Sequence, residues 1–64
     1  MCEFTVYLDG HDDKNIVAES VVKAILKTDV IVLLDSKGET TRVLKAHITK
    51  VDSIMAEMLL KTNE

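Results

Sequence analysis

The chain opens on a strict alternation of apolar and polar positions. Across Cys2-Glu3-Phe4-Thr5-Val6-Tyr7-Leu8, the residues Cys2, Phe4, Val6 and Leu8 fall on one side and Glu3, Thr5 and Tyr7 on the other. A period of two is the pattern of a strand with one buried face. Asp9-Gly10-His11-Asp12-Asp13 then interrupts it with turn-forming residues.

A short strand is expected over residues 15–18. Residues 21–35 read as a hairpin, with Val21-Val22-Lys23-Ala24-Ile25-Leu26-Lys27, the link Thr28-Asp29, and Val30-Ile31-Val32-Leu33-Leu34. The second arm is continuously apolar, which suits a strand covered on both faces. A helix competes over residues 17–27, because Val17, Val21, Ala24 and Ile25 recur at helical spacing. The β-branched run that follows needs a strand to pair with, and a two-residue link supplies one.

Asp35-Ser36-Lys37-Gly38 predicts a second turn, with Gly38 able to take positive φ at no steric cost. Strands are expected over residues 40–44 and 46–51, the latter alternating Ala46 and Ile48 with His47, Thr49 and Val51. Asp52-Ser53 opens a turn, or starts a helix with Asp52 as its cap. Residues 55–60 suit a short helix by propensity and a closing strand by architecture, and the last three residues should fray.

Several short strands separated by turn signals predict an all-β fold. The expected forms are a small SH3-like barrel or a compact sheet of about six or seven short strands, with residues 1–64 as one domain. A chain of 64 residues buries only roughly 60% of what it exposes unfolded, so such a domain is marginal alone. Small domains of this kind gain stability from disulfides, a metal or a partner subunit. One cysteine cannot form an intramolecular disulfide, and a second copy of the chain becomes the readiest source of further buried area. A two-fold homodimer is therefore expected, with part of the apolar surface of residues 30–34 at its interface.

Composition narrows the function classes. With 47% hydrophobic residues, the chain is too apolar for disorder. No apolar run approaches the roughly 20 residues that span a bilayer, and the start lacks the form of a signal peptide. The expectation is a cytoplasmic protein with a reduced thiol and no membrane partner. The net charge is −3, and the eight basic residues are dispersed along the sequence. Nucleic-acid binders concentrate positive charge, so no nucleic-acid partner is expected.

Cys2 is the first candidate for chemistry, and His11 and His47 are the other ligand candidates. A cysteine on the apolar side of a strand is ordinarily a small core residue. Cys2, however, adjoins the α-amino group. Its thiolate, its amide nitrogen and the Met1 amine can close adjoining chelate rings on one metal. If Met1 is removed, the Cys2 amine and thiolate close one ring. Sulfur and nitrogen in a plane suit nickel or copper, and two chains at a two-fold axis would double the donors. His11, beside Asp9, Asp12 and Asp13, reads as part of a solvated turn that does not match a calcium loop. His47 reads as an ordinary strand histidine with no partner ligand at a pairing distance. The acidic residues form no general acid and base pair, and two distant glycines cannot build a phosphate loop. The chain is not expected to be an enzyme.

The sequence resembles the CooT family of small nickel-binding proteins, linked to maturation of the nickel-containing carbon monoxide dehydrogenase. The resemblance is carried by the opening Met1-Cys2-Glu3-Phe4-Thr5-Val6-Tyr7-Leu8, by Val21-Val22-Lys23-Ala24, by Gly38-Glu39, and by Ile48-Thr49-Lys50-Val51-Asp52. It implies a small β-rich homodimer that holds nickel through Cys2, with Met1 beside it. It also implies a nickel enzyme, or its maturation factors, as partner. Some relatives were labelled RNA-binding, so an RNA-binding small β-barrel is the first alternative and a structural protein-interaction domain the second. The chain departs from the usual family pattern at Lys45-Ala46-His47, where a glycine or small polar residue is common, and again at Ser53-Ile54-Met55-Ala56.

Overall fold

The computed structural model describes residues 3–64; Met1 and Cys2 lie outside the described residues. Six strands follow in chain order: β1 (Phe4–Leu8), β2 (Ile16–Lys27), β3 (Val30–Asp35), β4 (Thr40–Leu44), β5 (Ala46–Asp52) and β6 (Glu57–Thr62). A short 3-10 turn, Asp13–Asn15, links β1 to β2. All strands belong to one sheet in the order β4-β3-β2-β1-β6-β5. The pairs are antiparallel except β1 with β6, which run parallel.

The long strand β2 organises the sheet. Its first half pairs with β1, and its second half continues past the start of β1 to pair with β3. Between the halves Ser20 takes φ 57, its carbonyl accepts the Ser36 amide at 2.9 Å, and the register shifts on the following residues. This is the kink of a bulged strand. It merges the short strand expected over residues 15–18 with the first hairpin arm. The helical alternative for residues 17–27 is not adopted, because β3 supplies a full ladder of partners from Lys27 opposite Val30 to Lys23 opposite Leu34. Residues 57–62 likewise form the closing strand rather than a helix.

The kink curls the two halves of the sheet over one core, bringing β3 into contact with β5. Val6, Val21, Ile31, Leu33, Val43, Ala46, Met58 and Leu60 form that core, with Phe4, Leu8 and Ile48 packed against it. Leu33, Val6 and Val21 are its largest fully buried side chains.

The compact-sheet form of the expectation holds and the closed barrel does not. β4 and β5 are consecutive in sequence yet occupy opposite edges. Only Lys45 separates them, in a left-handed conformation at φ 53. One such residue turns the chain through a corner and leaves no room for a hairpin between the two strands. The corner is fastened by the Lys45 amide on the Asp29 carbonyl at 2.8 Å and the Asn63 amide on the Lys45 carbonyl at 2.7 Å.

Candidate functional site

The first described residues leave the sheet at one defined place. The Thr5 amide donates to the Ala56 carbonyl at 2.9 Å, and Thr5 stands opposite Glu57 in the parallel pair. The start of β1 is thereby fixed beside the β5–β6 turn. On its other side Phe4 stands opposite Val21. Glu3 alone separates Cys2 from this anchored strand. The predicted ligands Cys2 and Met1 themselves lie outside the described residues.

The β5–β6 turn is a preorganised knob. The Asp52 carboxylate accepts the amides of both Ile54 and Met55 at 3.0 Å. Those bonds, the Met55 amide foremost, hold the Asp52 carboxyl below its ordinary range, aided by the charge of Lys50. Asp52 thus opens a turn, not a helix. Ala56 closes it at φ 55. The knob presents Ile54, 92% exposed, and Met55, 64% exposed, near Val51, which is also exposed.

The acidic loop after β1 folds back over the outer side of β1 and β6. His11 Nε2 lies 2.9 Å from Glu57 Oε1, and its ring meets Tyr7 edge-on with centroids 4.7 Å apart. The Tyr7 hydroxyl donates to Glu57 Oε2 at 3.5 Å. Burial, and then the charge of Glu57, pushes that hydroxyl above its ordinary range. The turn therefore buries Tyr7, a residue its alternation assigned to the open side. Asn15 braces the loop, donating to the Leu8 carbonyl at 3.0 Å and accepting the Asp12 amide at 3.2 Å. Gly10 passes so close that a Cβ there would lie 2.5 Å from Asn15 Oδ1.

The structure does not bring the histidines together. His47 Nδ1 lies 2.6 Å from Asn63 Oδ1, on the edge strand β5. Among the described residues no group of three or more His, Cys, Asp or Glu side chains could hold a metal ion. Sequence reasoning missed the Tyr7–His11–Glu57 cluster, since Glu57 meets Tyr7 only through the parallel β1–β6 pairing. It also missed a grouping of cations. On the outer face of β2, β3 and β4, Lys23, Leu34 and Thr40 form one row, Ile25, Val32 and Arg42 a second, and Lys27, Val30 and Leu44 a third. Lysines dispersed in sequence are gathered here with an arginine.

Among the described residues no helix is long and apolar enough to cross a membrane. The described residues define a small open β-sheet protein in which the start of β1 is anchored to the β5–β6 turn. The chain belongs to the CooT family, CO dehydrogenase accessory protein CooT, which it matches over residues 1–61. Its fold is similar to the crystal structure assigned to CooT from Carboxydothermus hydrogenoformans, with TM-score 0.82, over 98% of this chain and 100% of that one, at 24% identity. None of the curated proteins matches the chain.

Proposed function

We propose that this protein is a dimeric nickel-binding accessory protein, without catalytic activity of its own, that serves maturation of CO dehydrogenase in the cytoplasm. Ni(II) is its cargo. The Cys2 thiolate binds it, together with the Cys2 amide and the Met1 amine. The observation that supports this reading is the extent of the family match, which begins at residue 1 and so takes in Met1-Cys2. The Thr5–Ala56 hydrogen bond adds a physical argument. A chelate built from a thiolate and its own backbone nitrogen is favoured when the chain leaving the site is anchored, because less ordering entropy is lost on binding.

One chain supplies few donors, and a second copy completes the set. The two-fold axis is proposed at the end of the sheet where Val51, Ile54 and Met55 are exposed near the start of β1. Covering these side chains and pairing two Cys2 thiolates are then one event. This replaces residues 30–34 as the expected interface. Ile31 and Leu33 of that stretch enter the core, while Val30, Val32 and Leu34 share their face with Lys23, Lys27 and Arg42. A two-fold across that face would bring like charges together.

The test is nickel titration of reduced, tag-free protein and of Cys2→Ser, followed by sulfur-to-nickel charge-transfer absorbance. The band is expected in the parent protein and absent from Cys2→Ser. Equal stoichiometry and affinity in Cys2→Ser would sink the reading.

A further inference from the structure

We propose that the outer face of β2, β3 and β4 is a docking surface for another protein, whose contact surface is apolar at its centre and acidic around it. Three observations carry this. First, the face is apolar where a solvated face would be polar. Ile25 is 41% exposed and Leu44 64% exposed, and Val32 lies half-buried between Ile25 and Arg42. The inner side of these strands sends Ile31, Leu33 and Val43 into the core, with Leu26 exposed at its edge, but no element of the described chain crosses the outer side. A contiguous apolar patch rimmed by polar groups marks an interaction site.

Second, every charge on the face has one sign. Lys23, Lys27 and Arg42 are exposed there, and no acidic residue occupies a described position of its three rows. The chain as a whole carries −3, so its acidic excess is displaced to the turns and to the other half of the sheet. Asp29 and Asp35 lie at the strand ends rather than on the face. A surface of this composition is complementary to carboxylates set around aliphatic side chains.

Third, the chemistry disfavours the other occupants. A second copy in two-fold apposition would bring cations to cations. RNA would meet aliphatic side chains without a stacking platform, since Phe4 and Tyr7 both lie on β1. The proposal does not depend on nickel.

The experiment uses the full-length protein with isotopically labelled backbone amides. It is titrated with a synthetic amphipathic helix of Leu, Ala and Glu about five turns long. The same peptide with Lys in place of Glu, and poly-uridine RNA, are titrated in parallel. The acidic peptide is expected to shift the amides of Ile25, Val32, Arg42 and Leu44, with binding that weakens as salt rises. The triple variant Lys23→Glu, Lys27→Glu, Arg42→Glu should bind it at least about tenfold more weakly and should bind the Lys peptide instead. If that variant is unfolded by circular dichroism, the corresponding triple Gln variant, which removes charge without reversing it, is expected to show the same loss for the acidic peptide. Equal binding of the two peptides, or binding of neither at this face, overturns the proposal. So does RNA binding at the same amides, or a concentration-dependent self-association that Ile25→Asp abolishes.

Discussion

Asp9 and Thr62 stand 53 positions apart in sequence, yet one carboxylate accepts two bonds from the other residue. The Thr62 amide donates to Oδ1 at 2.8 Å and the Thr62 hydroxyl to Oδ2 at 2.6 Å. The end of β6 is thereby tied to the end of β1. These bonds, the hydroxyl first, lower the Asp9 carboxyl from its ordinary range. A lowered folded-state value favours the folded protein once the carboxyl is ionised. That contribution is fully present above the ordinary aspartate range and is lost as pH falls through the folded value. Asp52 has the same sign. Thermal melts are therefore expected to show stability falling below about pH 4, with a smaller fall in Asp9→Ala. An unchanged acid profile in that variant would contradict the assignment.

Two left-handed residues offer a test of the backbone. Lys45 and Ala56 take φ 53 and φ 55 at the β4–β5 corner and at the end of the β5–β6 turn. A side chain there costs about 1–2 kcal/mol, and glycine adds back about 0.5–1 kcal/mol of unfolded-state entropy. Lys45→Gly and Ala56→Gly are each expected to stabilise by about 0.5–1 kcal/mol in urea unfolding. Gly38→Ala, at φ 87 in open space, should shift the midpoint the other way.

Core and knob should respond differently to truncation. Leu33 is 1% exposed, and Leu33→Ala is expected to cost about 2–5 kcal/mol. Ile54→Ala removes a similar side chain from the surface and should change the monomer by no more than about 0.5 kcal/mol. Denaturation at low protein concentration separates the two.

The knob should matter instead for assembly. Ile54→Asp and Met55→Asp place charges where the proposed two-fold buries apolar side chains. Sedimentation is expected to show dimers for the parent protein at micromolar concentration and monomers for these variants. Leu44→Asp, at the end of β4 and outside the β5–β6 turn, should leave the dimer intact. A stable monomer in the parent protein would refute the assembly.

Nickel affinity should rise with pH, because binding displaces protons from sulfur and nitrogen. The double variant His11→Ala, His47→Ala should keep both the absorbance band and this dependence. His11 is engaged by Glu57 and Tyr7, and His47 by Asn63. Loss of the band in the double variant would place a histidine at the metal.

Much of this architecture was legible along the chain. The strand β1, the two-residue link at Thr28-Asp29 and the glycine turn at Gly38 depend on neighbours in sequence, and each stands in the fold, although the burial of Tyr7 beside Val6 breaks the expected alternation. The choice of strand over helix for residues 17–27 was not local, since it depended on β3 being there to pair with. The sequence alone raised Cys2 beside Met1 as the candidate ligand pair, and both residues lie outside the described ones. What only the tertiary structure decided is where the start of β1 is anchored, which histidine meets which partner, and which lysines share a face. Each of these depends on contacts between residues far apart in sequence. The parallel β1–β6 pairing and the kink at Ser20 create them, and neither leaves a periodic signal that a reading along the chain could detect.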